Sequence, residues 1–274
     1  MARLISVATR DNMRIAVHYS YPSIHGTWIP DGQVTRPDQN PSANPGPTGR
    51  KFEDNRDGWV NALKDLGYQF DMVARQQIEA GELTAKGFRL LVLPFSVAIT
   101  DREVREIRRF VESGGVVIAD GQAGVMDGHA KWLERGSLDD LFGIERSAPA
   151  RREDIASSAP ERSVKAVAGK SLDELAGAPV LITREHGKGK AIYLNFFLAS
   201  YVEERRDAKE GKWKQLLGRA LREAGVQPEF RVLTSGGRPL DGFEQISFSS
   251  GAARYLGLLK NEEIEARTSE MTVE

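Results

Sequence analysis

Apolar residues along this chain fall into two kinds of pattern, continuous short runs and runs spaced as on one face of a helix. Ile15–Tyr19 predicts the first strand, and continuous apolar runs of strand length follow at Leu90–Phe95 and Val116–Ala119. Such runs predict strands that are buried on both faces. Between the last two runs, the apolar positions recur with helical spacing at Val104, Ile107, Phe110 and Val111. The pattern therefore predicts a strand, a helix and a second strand in succession.

The ends of that helix are also marked in the sequence. Thr100 precedes it and Glu103 follows three residues later, which predicts a capping box, while Gly114–Gly115 ends the helix. A strand, a crossover helix and a second buried strand form a parallel unit. We expect Leu91 and Leu93 to be buried, on opposite faces of the first strand. Open parallel sheets bind ligands at the carboxyl ends of their strands, here Pro94–Ser96 and Asp120–Gln122.

The rest of the chain continues the alternation of strands and helices. The predicted elements are a helix over 55–66, a strand over 69–73, a short helix over 78–83, one helical turn over 137–141, short edge strands within 146–178, a hairpin over 180–196, a helix over 213–224 and alternating strands within 230–259. Residues 20–54 predict a long polar connection because they are rich in proline and glycine. Its aromatic front half favours an ordered segment that covers a partner domain or subunit, and a floppy insertion is the alternative.

Composition excludes several classes of function. The chain has 274 residues, 40% hydrophobic and 28% charged, with a net charge of −1 and no cysteine. Near-neutral charge argues against a nucleic-acid partner, and no run is long enough to span a membrane. The lack of cysteine excludes disulfides and thiolate chemistry. We expect a cytoplasmic protein that needs no cofactor.

Four segments carry a resemblance to a known family. They are LPFSVAITDREVREIRRFVESGGVVIAD at 93–120, IAVHYSYPSIHGTW at 15–28, DGWVNALKDLGYQFDMV at 57–73 and ITREHGKGKAIYLNFF at 182–197. In this order they resemble the class I glutamine amidotransferase-like domain of family-42 beta-galactosidases, also called the beta-galactosidase trimerisation domain. The likeness covers roughly residues 10–225.

The resemblance implies a fold and a division of the chain. The implied fold class is α/β, a flavodoxin-like, mostly parallel sheet flanked by helices and followed by a small β region. We expect an amidotransferase-like domain over 1–228, a partial β-sandwich or docked strands over 229–262, and a disordered tail over 263–274. In such enzymes a catalytic barrel precedes this domain and supplies the two carboxylates of glycoside hydrolysis. We therefore expect a module without its barrel, which is not catalytic alone.

Several motifs that suggest chemistry have simpler explanations. Asp120 or Gly121 stands where an amidotransferase needs its cysteine, which argues against glutamine hydrolysis. Asp120 and Asp127 form a pair of carboxylates near a strand end, but turn capping and an Asx turn explain them better. The four histidines lack metal-ligand spacing, so we expect no metal site. Gly187–Lys190 is expected to be a hairpin turn rather than a phosphate loop.

One cluster of candidate ligand-binding residues remains. If the strands are parallel, one edge of the sheet collects His18, Tyr19, Ser20, Ser96, Asp120 and Gln122. His25 and Trp28 lie nearby in sequence and could form the aromatic platform on which sugars stack. The alternative is that this edge contacts a partner or the barrel, and we favour that contact surface.

Three functions remain open at this point. The first is a non-catalytic module of a glycoside-hydrolase-type protein that acts in homo-oligomerisation, or in contact with a missing barrel, with a role in shaping a sugar site. The second is a stand-alone protein that binds a carbohydrate or another small molecule. The third is a glycoside hydrolase that uses carboxylates at the strand ends. Fold resemblance alone cannot choose among them.

Overall fold

The computed structural model describes residues 8–11, 13–28, 51–150, 159–206, 212–237, 242–260 and 271–273. The strands are β1 Thr9–Arg10, β2 Ile15–Tyr19, β3 Asp71–Ala74, β4 Leu90–Leu93, β5 Val116–Ala119, β6 Ile144–Arg146, β7 Val164–Ala166, β8 Lys170–Leu175, β9 Ala178–His186, β10 Gly189–Leu194, β11 Val232–Thr234, β12 Phe243–Ser250, β13 Ala253–Lys260 and β14 Met271–Val273. The helices are α1 Tyr21–Trp28, α2 Lys51–Asp65, α3 Arg75–Glu79, α4 Glu82–Ala85, α5 Asp101–Glu112, α6 Asp139–Phe142, α7 Tyr201–Arg206 and α8 Lys212–Glu223.

A sheet of seven strands forms the centre of the described chain. Its order is β3-β2-β4-β5-β10-β9-β8, and the first five strands run parallel. Strands β9 and β10 form an antiparallel hairpin, as the sequence predicts, and β8 pairs antiparallel with β9. The predicted α/β class with a mostly parallel sheet is therefore confirmed.

Strand β4 lies between two separate apolar cores. Leu91 and Leu93 pack on one face with the apolar side of α5. Leu90 and Val92 pack on the other face with Trp59 of α2 and with α8. The prediction that Leu91 and Leu93 are buried is confirmed, but their assignment to opposite faces is wrong, because side chains two residues apart on a strand share a face.

The capping box of α5 forms as predicted. The hydroxyl of Thr100 accepts a hydrogen bond from the backbone N–H of Glu103 at 3.1 Å. In return, the Glu103 carboxylate accepts one from the backbone N–H of Thr100 at 2.8 Å. These two bonds satisfy donors that would otherwise be unpaired at the start of the helix.

The predicted connection over 20–54 contains more regular structure than its proline and glycine content suggests. Helix α1 occupies its front, with Pro22 in the first turn, where proline costs no hydrogen bond. Helix α2 begins at Lys51 rather than near Asn55. The prediction of a single long loop from 20 to 54 is therefore wrong at both ends. Residues 29–50 lie outside the described part of the chain.

Helix α2 approaches the segment after β10 without an intervening side chain. A Cβ atom added to Gly58 would lie 2.0 Å from the carbonyl oxygen of Leu198. One turn earlier, the side-chain oxygen of Asn55 accepts the backbone N–H of Leu198 at 2.5 Å. Gly58 therefore sets the distance at which α2 can meet the strand ends.

The C-terminal strands dock on the main domain. Strand β12 pairs with β13 and with β1, and Gln69 exchanges two hydrogen bonds with Ser247, at 2.9 and 3.2 Å. Strand β14 pairs with β11. The expected disorder of the whole tail over 263–274 is therefore wrong for Met271–Val273, which form a strand, whereas the part of the tail before Met271 lies outside the described residues.

Candidate functional site

The carboxyl ends of β2 and β4 bring His18 and Ser96 together, as the sequence predicts. The Nδ1 atom of His18 lies 3.0 Å from the hydroxyl of Ser96, and its Nε2 lies 3.0 Å from the carboxylate of Glu103. The carboxylate carries only acceptors, and it meets Nε2 in an ion-pair contact rather than in an aligned hydrogen bond. All three side chains are buried. This row of serine, histidine and glutamate is therefore closed to solvent.

Glu103 serves both the buried row and the cap of α5. Burial alone would raise the pKa of this carboxyl, but the contact with His18 and hydrogen bonds from Thr100 outweigh burial and hold the pKa below its usual range. The charged carboxylate is thus the favoured form. Glu103 was predicted only as a capping residue, because its contact with His18 joins elements far apart in sequence.

Asp120 at the end of β5 has three hydrogen-bond donors around its carboxyl group. Asn55 donates to it at 2.5 Å, the Trp59 indole at 2.7 Å and the backbone N–H of Phe95 at 2.8 Å. Asp120 is fully buried, and this burial raises its pKa to about 7 despite the three donors. The arrangement joins α2 to the ends of β4 and β5, and it leaves no open face for a substrate.

Gln122 belongs to a different buried network from Asp120. Its backbone N–H donates to the Tyr193 hydroxyl at 3.1 Å, and Arg146 donates to the same oxygen at 2.9 Å. Arg146 in turn pairs with Asp139 at 2.6 Å.

Gln122 has a left-handed φ of 64°, and Phe95 at the end of β4 has a φ of 45°. The turns after both strands are therefore strained, which is frequent at functional sites.

Ser20 and Tyr19 have structural partners of their own. The Ser20 hydroxyl donates to the carbonyl oxygen of Ala98 at 3.1 Å and accepts from the Ser23 hydroxyl at 2.7 Å. The Tyr19 ring packs edge-on against Phe52, with ring centres 6.1 Å apart. The serine contacts attach α1 to the loop after β4, and the ring contact joins β2 to α2.

An apolar cluster covers the carboxyl edge of the sheet. It consists of Phe52, Phe95, Val97, Ala98, Val125, Met126, Ala150 and Phe197. The predicted ligand residues His18, Ser20, Ser96, Asp120 and Gln122 are all buried at or beneath this edge. The edge therefore resembles a packed contact layer more than an open pocket.

His25 lies apart from the buried residues. It is exposed on α1 and borders a cleft of about 470 Å³ between α1, α3 and the loop after β5. Trp28 is the last residue of α1, and its side chain lies outside what the structure describes. The predicted cluster thus divides into a buried group and an exposed cleft.

Asp127 takes the structural role that its sequence context predicts. Asp127 accepts the backbone N–H groups of His129 at 2.8 Å and Lys131 at 3.0 Å, which forms the predicted Asx turn. No group of three metal-ligating side chains gathers within the described ranges. No described helix is long and apolar enough to cross a bilayer.

Comparison with known proteins finds a similarity to a family over part of the chain. Residues 40–154 match the family model described as the beta-galactosidase trimerisation domain, which confirms the resemblance of the sequence motifs. No curated protein matches the chain.

Solved beta-galactosidases share its fold. The enzyme from Bacillus circulans sp. alkalophilus has 17% identity and a TM-score of 0.57 over 90% of this chain and 35% of its own. The enzyme from Rahnella sp. R3 has 14% identity and a TM-score of 0.57 over 92% and 36%. The enzyme from the haloarchaeon Halorubrum lacusprofundi has 19% identity and a TM-score of 0.50 over 88% and 35%. The chain therefore spans about a third of the length of these proteins.

Proposed function

We propose that this chain, whose residues 40–154 match the beta-galactosidase trimerisation domain, is a non-catalytic association module of a glycoside-hydrolase-type protein. The observation that supports this most is that the polar side chains at the carboxyl edge of the sheet are buried and already hydrogen-bonded within the protein. The carboxyl oxygens of Asp120 accept hydrogen bonds from Asn55, Trp59 and Phe95, and an apolar cluster lies over the strand ends. A glycoside hydrolase needs two carboxylates that can reach a sugar, which this edge does not offer.

The proposed association surface is the outer edge of strand β3. This strand ends the seven-stranded sheet, and its Met72 side chain is 42% exposed. A strand at the end of a sheet with an exposed apolar side chain favours pairing with another chain. Tyr255 and Leu259 are also exposed apolar residues, but they lie outside the segment that matches the trimerisation domain. The proposed occupant of the β3 edge is a second copy of the chain, because β3 lies within the segment that matches the trimerisation domain.

Sedimentation velocity tests self-association directly. We expect a mass above that of the monomer at micromolar concentration, and a shift toward monomer in Met72→Glu. The matched control is Leu259→Glu, which introduces the same charge at a side chain that is 55% exposed and outside the matched segment. A wild-type monomer throughout the concentration range, or equal dissociation by both variants, would contradict the proposal.

The absence of catalysis is tested with a chromogenic galactoside. We expect no hydrolysis above background by the chain alone. Turnover that is lost in Asp120→Asn would favour the third function considered above, a hydrolase with carboxylates at the strand ends. Such a result would require the Asp120 carboxyl to leave its three partners.

We also infer the finer fold assignment. The order of the first four parallel strands along the sheet is second, first, third, fourth in chain order, which is the order of flavodoxin-like sheets. The link to class I glutamine amidotransferases rests on the sequence resemblance, and the absence of cysteine from the chain means that it does not extend to their thiol chemistry.

A further inference from the structure

A cleft beside α1 is separate from the buried network at the strand ends. It lies between α1, which follows β2, α3, which follows β3, and the loop that follows β5. All three elements therefore come from the carboxyl edge of the sheet, where open parallel sheets bind ligands. The volume of about 470 Å³ is within the range of small-molecule sites.

One wall of the cleft is an aromatic ring in a fixed orientation. Tyr21 lines the cleft and is 55% exposed. The ring of Tyr19 packs edge-on against it, with centres 5.4 Å apart and an interplanar angle of 80°. Tyr19 is itself held edge-on by Phe52. A rigid, exposed ring offers an apolar face to the C–H side of a sugar at low entropic cost.

The polar groups of the cleft are donors and bases. Arg75, His25, His129 and Gln76 line it, and no aspartate or glutamate is among its described lining residues. Among the described residues Arg75 pairs with Glu79, whose oxygen lies 3.9 Å from the Arg75 Nε and also accepts the Thr100 hydroxyl. The guanidinium thus keeps donors for a ligand, and its planar fork matches a carboxylate.

The walls of the cleft are held in place by close packing and by hydrogen bonds. A Cβ atom added to Gly26 would lie 2.7 Å from the Cβ of Ala130, so α1 packs directly on the loop after β5. Asp127 fixes that loop by accepting the backbone N–H groups of His129 and Lys131, and this carboxylate does not line the cleft. A preorganised site loses less free energy on binding than a mobile one.

We propose that this cleft binds a saccharide that carries a carboxylate, of the uronic acid class. The sugar ring stacks on Tyr21 while Arg75 pairs with the carboxylate, and the side chains of His25, Gln76 and His129 supply further hydrogen bonds. The proposal goes beyond the association module and does not depend on it, since a monomeric chain would retain every residue of the cleft.

Saturation-transfer NMR and calorimetry with three probes test the site. The probes are D-galacturonate, D-galactose and acetate, each titrated into the full chain. We expect galacturonate to bind about tenfold more tightly than galactose or acetate, because only galacturonate offers both the ring and the charge. Equal affinity for galactose and galacturonate, or for acetate and galacturonate, would overturn the proposal.

Two variants and one control assign the contacts. Arg75→Gln is expected to lower galacturonate affinity to the level of galactose while leaving galactose binding unchanged, and Tyr21→Ala is expected to weaken both sugars. Arg222→Gln is the control, since Arg222 is exposed on α8, which packs on the other face of the sheet. Wild-type galacturonate binding by a folded Arg75→Gln variant, checked by circular dichroism, would place the carboxylate elsewhere and refute the assignment.

Discussion

The side-chain amide of Asn55 lies 2.5 Å from the carboxyl group of Asp120, although 65 residues separate the two in sequence. The oxygen of the same amide accepts the backbone N–H of Leu198. Asn55 therefore connects the start of α2 to the end of β5 and to the segment after β10. Because all of these atoms are buried, losing one partner leaves others unsatisfied.

Removing the carboxyl group of Asp120 is expected to destabilise the protein strongly. Asp120→Ala leaves three buried donors without their acceptor, each at a cost of about 1–3 kcal/mol. We expect the free energy of unfolding in urea at pH 5.5 to fall by roughly 3–5 kcal/mol, and by less in Asp120→Asn, which keeps one oxygen. A loss below about 1 kcal/mol in Asp120→Ala would contradict the network.

The raised pKa of Asp120 predicts how its contribution changes with pH. The folded pKa of about 7 lies above the ordinary value of 3.8, so the folded state binds the proton more tightly than the unfolded state. The stabilisation is complete below pH 3.8 and is lost as pH rises through 7. The unfolding free energy of the wild type, measured relative to Asp120→Asn, should fall by on the order of 4 kcal/mol over that interval and then level off. A difference independent of pH would refute the shift.

The lowered pKa of Glu103 predicts that its contribution to stability depends on pH in the opposite direction. Its folded pKa lies below the ordinary 4.5, so its stabilisation is present above pH 4.5 and is lost as pH falls through the folded pKa. At pH 7, Glu103→Gln should cost about 1–3 kcal/mol, because a charged acceptor for His18 is lost. The difference from wild type should shrink in acid. A difference that grows below pH 4.5 would show that Glu103 is not charged in the folded protein.

Replacing two helical glycines by alanine should change the stability of the protein in opposite directions. Gly58→Ala places a Cβ against the Leu198 carbonyl, and we expect a loss of about 1–3 kcal/mol or more from overpacking. Gly218 of α8 has only the far end of the Arg222 side chain nearby, at 3.5 Å. Gly218→Ala should therefore raise stability by about 0.5–1 kcal/mol through helix propensity. Thermal and urea unfolding measure both, and effects of the same sign would contradict the packing of α2.

The core of β4 provides a prediction with graded controls. Leu91→Ala should cost about 2–5 kcal/mol, because Leu91 is fully buried against α5. Arg105→Ala, on the exposed face of α5, should change the unfolding free energy by less than about 0.5 kcal/mol. Arg108→Ala should lie between them, near 1 kcal/mol, since Arg108 forms a forked pair with Asp140. Equal effects of the three changes on urea unfolding would contradict this arrangement.

Local patterns in the sequence predicted those parts of the fold that depend on neighbours in the chain. The capping box of Thr100 and Glu103, the buried strand β4 and the Asx turn at Asp127 each involve residues within a few positions of one another. Helix α1 was missed because Pro22 and Gly26 usually interrupt helices. Here Pro22 lies in the first turn, and Gly26 is needed for the approach to Ala130, which only the folded chain reveals.

The candidate site was predictable only in part, for a related reason. Parallel strands brought His18 and Ser96 together as expected. The partners that occupy the polar groups, Asn55, Trp59 and Glu103, come from helices whose angle to the sheet is not encoded in any local pattern. The apolar cluster over the strand ends likewise assembles residues from distant segments. The polar residues at the strand ends therefore allowed us to predict that these side chains lie close together, but not that they are buried.

The pairing of β1 with β12 has a consequence for the order in which the protein is made. Thr9 pairs with Ser249, so β1 can find its partner only after some 240 further residues have been synthesised. At roughly 5–20 residues per second, the ribosome needs about 12–48 s to supply that partner. Strands β2 to β5 can meet much earlier, and we expect the small sheet to close last, as the final and slowest step of folding.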